Sequence, residues 1–189
     1  MNILAFGTSN NEISINRTLA IYTAQLAADA TVNTLNIHDY EMPIFSDQRE
    51  QDLGQPPQAI AFYDQIAAAD ALVVSFAEHN GGYSAAYKNL FDWTSRIDKE
   101  VFQDKPVVFL STSPGPGGAA SVLASALGSA KFFGARVIDS LSVPSFQKNF
   151  DLETSQMVNA DIKAALQTAM QRLEEATHPE HALQQSVAG

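Results

Sequence analysis

The 189-residue chain contains no cysteine, which excludes disulfides, iron–sulfur clusters, thiolate zinc sites and cysteine nucleophiles. Cations are scarce as well: 11 lysines and arginines face 21 acidic residues, for a net charge of −10. Non-specific nucleic-acid binding needs cations that displace phosphate counterions, and adsorption to an anionic bilayer needs them equally, so neither partner is expected. No apolar run approaches the roughly 20 residues of a membrane span. The first residues carry neither a basic n-region nor an apolar h-region, so the expected location is cytoplasmic. Two nucleotide fingerprints are missing, Gly-x-Gly-x-x-Gly and the Gly-Lys-Ser/Thr that ends a nucleoside-triphosphate loop. His178 and His181 have no third ligand nearby, so no metal site is expected.

What is present is a well-stocked core. Hydrophobic residues make up 46% of the chain and charged residues 17%, the balance of a folded domain. The length fits a single domain, expected over residues 1–176, with a disordered tail over 177–189 where apolar periodicity stops. Short continuous apolar runs at Asn2 to Phe6, Ala71 to Phe76, Pro106 to Leu110 and Arg136 to Leu141 read as strands buried on both faces. Val32 to Ile37 mixes in polar residues, as an edge strand does. Helical patterns separate them at Ser14 to Ala28, Pro57 to Ala69, Tyr83 to Ile97, Gly118 to Phe133 and Leu152 to Ala176, and Ser46 to Gln58 reads as a surface loop. Ser14 is a candidate N-cap and Pro57 a first-turn proline. Strands alternating with helices predict an α/β doubly wound parallel sheet with helices on both faces. Five strands favour the flavodoxin-like order 2-1-3-4-5 over the dinucleotide-binding order.

In such sheets, ligands bind beyond the carboxyl ends of the strands. The first strand is followed by Gly7-Thr8-Ser9-Asn10-Asn11-Glu12-Ile13-Ser14-Ile15-Asn16, where hydroxyls and amides crowd a helix N-terminus. That composition suits an anion and equally suits an ordinary capped loop. Ala77-Glu78-His79-Asn80-Gly81-Gly82 follows the third strand and Ser113-Pro114-Gly115-Pro116-Gly117-Gly118 the fourth. Glycines there let backbone approach something planar, and three such loops at neighbouring strand ends point to one ligand across the crevice.

Taken in order, Gly7-Thr8-Ser9 through Ser14-x-Asn16, Asp39-Tyr40-x-x-Pro43, Glu78-x-Asn80-Gly81, Lys88-Asn89-x-x-Asp92-Trp93 and Ser113-x-Gly115-x-Gly117-Gly118 resemble the NAD(P)H-dependent FMN reductase family. The resemblance runs from residue 2 to about residue 145. It implies a flavodoxin-like fold, FMN as cofactor, NADPH or NADH as co-substrate, and a homodimer or tetramer. It further implies that Thr8, Ser9, Asn10, Ser14, Ile15 and Asn16 hold the FMN phosphate. Glu78, His79, Asn80 and Gly81 would line the flavin ring, and Ser113, Gly115, Gly117 and Gly118 would meet its pyrimidine end. Lys88, Asn89, Asp92 and Trp93 fit helix anchoring and subunit packing. Two departures stand out: Asn10 takes the place of a family arginine, and His79 the place of an aromatic beside the flavin.

The expected activity is transfer of electrons from NAD(P)H through FMN to a small acceptor such as a quinone or free flavin. The alternative is a flavodoxin-type electron shuttle without a nicotinamide site; a scaffold with a vestigial flavin site is a third. Helices Tyr83 to Ile97 and Gly118 to Phe133 carry apolar residues over more than one face, which predicts a twofold homodimer built on them.

Overall fold

The computed structural model describes residues 1–177. In chain order, its first half contains β1 (Asn2–Gly7), α1 (Ile15–Ala24), β2 (Thr31–Thr34), α2 (Asp47–Leu53), α3 (Pro57–Ala68) and β3 (Ala71–Phe76). A small hairpin follows, β4 (Glu78–His79) and β5 (Gly82–Tyr83), then α4 (Ala85–Ile97), β6 (Lys105–Thr112), α5 (Ala120–Ala130) and β7 (Ala135–Val143). The last elements are α6 (Phe146–Asn149), a second hairpin of β8 (Phe150–Asp151) and β9 (Gln156–Met157), and α7 (Ala160–Thr177).

The five long strands form one parallel sheet in the order β2-β1-β3-β6-β7. Counting sheet strands alone, this is the flavodoxin-like 2-1-3-4-5 order. Alternation along each strand divides the core in two. Leu4, Phe6, Leu72, Val74, Phe76, Val107 and Phe109 face α3, α4 and α5. Ile3, Ala5, Ala71, Val73, Val108 and Leu110 face α1 and α7. Both sides of β1, β3 and β6 are dry, and this is why those segments read as unbroken apolar runs.

The structure departs from the sequence expectations at several element ends. Ser46 to Gln58 is no simple loop: Ser46 accepts from the Arg49 N–H (3.2 Å) and starts α2, which buries none of its residues and so shows no apolar stripe. The edge strand stops at Thr34, and Ile37–Tyr40 forms a 3-10 turn. Leu152 to Asn159 is not helical, because the hairpin β8–β9 precedes α7 and Met157 is buried in it. Thr177, expected in a tail, ends α7; residues 178–189, His178 and His181 among them, lie outside the described residues.

The broad apolar surface of α4 is largely satisfied within the chain. The Trp93 indole N–H donates to the Pro43 carbonyl (2.7 Å), and Phe45 meets the Trp93 ring edge-on at 5.1 Å. The Asn89 side chain ties the same segment, accepting from the Phe45 N–H (2.8 Å) and donating to the Met42 carbonyl (3.1 Å). Helix α5 is not apolar all round either: Ser121, Ala124 and Ser125 are exposed along with Leu127.

Gly7 fixes how α1 meets the sheet. A Cβ there would lie 2.8 Å from both the Asn16 carbonyl carbon and the Arg17 Cα, neither of which can yield without moving the helix. Gly7→Ala is therefore expected to lose about 1–3 kcal/mol, the cost of forced overpacking. A urea unfolding midpoint shifted by that amount checks it; an unchanged midpoint would show that α1 is not seated as described.

Candidate active site

Three loops meet beyond the carboxyl ends of β1, β3 and β6, over residues 8–14, 77–84 and 113–119. Thr8 is completely buried, and each of its polar groups is used inside the protein. Its N–H donates to the Ser75 carbonyl (2.9 Å), its Oγ1 accepts from the Ala77 N–H (2.8 Å), and its carbonyl accepts from the Ser84 hydroxyl. Ser84 in turn accepts from the Tyr87 N–H (3.1 Å), so one hydroxyl caps α4 and anchors the first loop.

Asn16 performs the matching task between β3 and β6. Its Oδ1 accepts from the Ser75 hydroxyl (2.8 Å) and the Thr112 N–H (3.1 Å), while its Nδ2 donates to the Thr112 carbonyl (3.1 Å). The residue is 3% exposed. Its side chain points into the sheet end, so only its backbone N–H is left to face a ligand.

Ser9 and Ser14 are buried as well, while Asn10 is half-buried. Ser9 Oγ accepts from the Asn11 N–H (3.2 Å), closing a tight turn, and the Asn10 amide donates to Glu41 (3.4 Å). Ser14 caps α1 by accepting from the Arg17 N–H (3.2 Å). That leaves the N–H groups of Ile15 and Asn16, in the first turn, without intrahelical acceptors. Arg17 is the sole lysine or arginine in the first 48 residues. Its Nε is buried without a protein partner among the described residues, and the side chain borders an open cleft with Asn36, Asp39 and Tyr40.

The second loop is a hairpin. Asn80 (φ 53°) and Gly81 (φ 82°) form its turn, the left-handed pair that a two-residue hairpin requires. His79, Asn80 and Gly81 are exposed at the tip. Glu78 is half-buried, and its carboxylate accepts from the Val122 N–H (3.0 Å). It thereby supplies the cap that Ala119 cannot, at a helix end where a negative charge is favoured.

In the third loop, Gly118 has φ +59°, and a Cβ on it would press the Pro144 nitrogen at 3.1 Å. The Gly118 carbonyl accepts from the Ser111 hydroxyl (2.8 Å) and the Ser142 hydroxyl (2.9 Å). The Gly115 carbonyl accepts from the Ser145 N–H (2.8 Å), and the Ser113 carbonyl from the Phe146 N–H (3.0 Å). Carbonyls are thus turned inward. Among the described residues, no protein acceptor takes the N–H of Gly115 or Gly117.

The structure therefore brings the three groups of sequence-identified residues to one crevice and divides their roles. Ile15, Ser14, Gly115 and Gly117 keep donors available; Thr8, Asn16 and Glu78 hold the loops together. Ser75, Ser84, Ser111 and Ser142 escaped the sequence reading, since a lone serine at a strand or helix end carries no pattern of its own.

Removing the Asn16 side chain strands three buried polar groups at once, each costing about 1–3 kcal/mol when unpaired. Ser14→Ala removes one helix cap, costing about 1 kcal/mol. Asn16→Ala is thus expected to lower the thermal midpoint clearly more than Ser14→Ala. Equal losses, read by circular dichroism, would show that the Asn16 bridge is not structural.

Among relatives, the NAD(P)H-dependent FMN reductase PA1204 of Pseudomonas aeruginosa is 41% identical over 68 residues, 36% of this chain and 37% of that protein. The 2-hydroxy-1,4-benzoquinone reductase of a Burkholderia species is 35% identical over 109 residues, 57% of each chain. Each match spans less than two thirds of the relative's own length. A flavoenzyme NAD(P)H:(acceptor) oxidoreductase from Paracoccus denitrificans superposes with a TM-score of 0.72 at 22% identity, over 92% of this chain and 97% of that one. That likeness concerns the fold. Residues 1–148 match the family described as NADPH-dependent FMN reductase, and to that family the chain belongs.

Proposed function

We propose that the crevice binds FMN and that the protein passes electrons from NADPH or NADH through it to a small acceptor such as a quinone or free flavin. The observation that carries this is the pair of unused donor sets at the two ends of one crevice. The Ile15 and Asn16 N–H groups with the Ser14 hydroxyl suit a phosphate at the positive end of α1. The Gly115 and Gly117 N–H groups suit the polar edge of a flat ring. With Asn10 paired to Glu41, Arg17 is the nearest full positive charge in the chain's first segment.

When bound, FMN supplies the hydride and electron chemistry. The protein's part is placement and electrostatics. Thr8, Ser9, Asn10, Ser14, Ile15 and Asn16 form the phosphate loop, the last through its backbone. Glu78, His79, Asn80 and Gly81 form one wall, and Ser113, Gly115, Gly117 and Gly118 the facing edge. N–H groups of the glycine loop favour added negative charge on that edge without having to reorient. No residue is assigned as a proton donor. His79, exposed at the hairpin tip, is read as a solvated rim residue.

The proposal includes a single domain over residues 1–176, a cytoplasmic location, where NAD(P)H is held, and a twofold homodimer. Leu127 (38% exposed) and Phe132 (61% exposed) leave apolar area at α5 and the turn after it, which supports a partner there. Light scattering at micromolar concentration should give twice the 20.4 kDa chain mass; a monomer would end the dimer reading. No helix among the described residues is long and apolar enough to cross a membrane.

Ser14→Ala should weaken FMN about ten- to a hundredfold and riboflavin hardly at all, since a hydrogen bond to a charged group contributes about 1.5–3 kcal/mol. Asn16→Ala should weaken both alike, because it loosens the loops rather than removing a phosphate contact. Titration of each variant with both ligands decides the assignment, and equal losses in Ser14→Ala would move the phosphate elsewhere.

With one crevice, nicotinamide and acceptor must use the flavin in turn. Initial rates over a grid of NADPH and a simple quinone should give parallel double-reciprocal lines. Intersecting lines would refute a shared site, and reduction without turnover would favour the shuttle.

A further inference from the structure

At the β2 edge of the sheet, away from α5, an open cleft of about 690 Å³ lies between the start of α1, the 3-10 turn at Ile37–Tyr40 and one side of α3. That volume falls in the range of roughly 300–1,000 Å³ usual for small-molecule sites. Arg17 borders the cleft. Among the described residues its guanidinium forms no ion pair, and its Nε is buried without a partner. A dry cationic donor left unmatched is costly, so an acceptor that enters the cleft and meets it is favoured. The planar guanidinium fork is suited to a phosphate, which it can hold by two parallel bonds.

The rest of the lining suits a nucleoside more than a bare ion. Tyr40 is half-buried, with its ring held edge-on by Phe62 at 5.9 Å, and it gives the cleft a flat apolar side. Asn36 spends its Oδ1 on the His38 N–H (3.2 Å), which leaves its Nδ2 to donate. Gln58 and Gln65 bring two more amides from α3. Asp39 borders the same cleft; its carboxylate repels a free phosphate ion but can accept from a sugar hydroxyl.

Cleft and crevice share a rim. Arg17 directly follows Asn16, and Glu41, next to Tyr40, holds the Asn10 amide of the first loop (3.4 Å). The two anion sites are nevertheless separate. Ser14 and the spare N–H groups of α1 gather at the end of β1, whereas the Arg17 side chain lies past the end of β2, with Asn36. Charge then sets a preference. On a chain of net charge −10, a co-substrate carrying an extra phosphate of about −2 is repelled unless a cation meets it. Arg17 is the sole lysine or arginine among residues 1–48.

We propose that this cleft receives the adenosine 2′-phosphate of NADPH, with Arg17 on the phosphate and Tyr40 beside the adenine, and that Arg17 thereby selects NADPH over NADH. The inference rests on the reading that a nicotinamide reduces flavin in the crevice, and it adds where the other end of that molecule is held.

Calorimetry of the full chain with adenosine 2′,5′-bisphosphate tests the cleft without turnover. Saturable binding is expected, with 5′-AMP about ten- to a hundredfold weaker, the range that one hydrogen bond to a charged group spans. Arg17→Gln should bring the bisphosphate down to the level of 5′-AMP and leave FMN affinity unchanged. Gln65→Glu, an exposed change on α3 that adds a repelling charge, should weaken the bisphosphate too, and it serves if circular dichroism shows Arg17→Gln unfolded. With FMN and a simple quinone present, the bisphosphate should compete with NADPH, and Arg17→Gln should raise KM for NADPH but not for NADH. The proposal is overturned if the two nucleotides bind alike or not at all, or if inhibition is not competitive. It is overturned equally if Arg17→Gln weakens FMN instead, which would give Arg17 to the flavin's phosphate. Should neither NADPH nor NADH reduce the flavin, the reductase reading falls, while the calorimetric comparison still decides the cleft.

Discussion

The structure turns on a small polar web at the carboxyl end of the sheet. Thr8 and Asn16 lie at opposite ends of the first loop. Between them they reach β3, β6, the hairpin and the start of α4. Every bond in that web is buried, where an unmatched partner is costly and a matched one is firm. Three loops rich in glycine and serine would be mobile by composition. Tied this way they become one wall, and the crevice keeps its shape before anything enters it. Glu78 extends the web to the third loop through the Val122 N–H, so the hairpin and the glycine loop cannot separate without uncapping α5.

The two halves of the core serve this arrangement differently. Beneath α1 and α7, small and branched side chains bring helix and sheet close, and Gly7 lets the first turn of α1 touch the strand end. Beneath α3, α4 and α5 the filling is aromatic, and rings meeting edge to face stiffen that side while leaving one gap. Close packing on one face sets the α1 end of the crevice. Ring packing on the other sets the wall behind the hairpin. The segment from Met42 to Phe45 then seals Trp93, a task that an oligomer partner was expected to share.

The sheet and its order were legible because strands dry on both faces leave continuous apolar runs, with Ala71 to Phe76 recovered residue for residue. Elements without buried stripes were not. Helix α2 buries nothing, and its one sequence signal, Ser46 before an acidic first turn, is common in loops. The β4–β5 hairpin did carry a signal, since Asn80-Gly81 is a turn that demands two left-handed residues. Its strands are only two residues long, too short to alternate visibly. At the site, residue types showed where a ligand belongs but not which atoms remain free. Asn16 and Ser14 look alike as phosphate-loop residues. Only the fold shows that one side chain is locked into β6 while the other stays at the helix end.

That division has a consequence for how charge is handled. The chain is strongly acidic, and the Asn10 amide of its first loop is already held by Glu41. A site with few side-chain cations must stabilise anionic groups by fixed dipoles: the α1 N-terminus at one end, glycine N–H groups at the other. Dipoles do so only if they cannot reorient, and in water a flexible loop would turn them towards solvent instead. The buried web is what prevents this. Inward-turned carbonyls of Ser113, Gly115 and Gly118, each held by a hydroxyl or N–H from β6 or the β7–α6 segment, leave the opposite N–H edges facing the crevice. The buried hydrogen bonds thus fix the direction of the dipoles left at the loop edges, and rigidity takes the place of net positive charge.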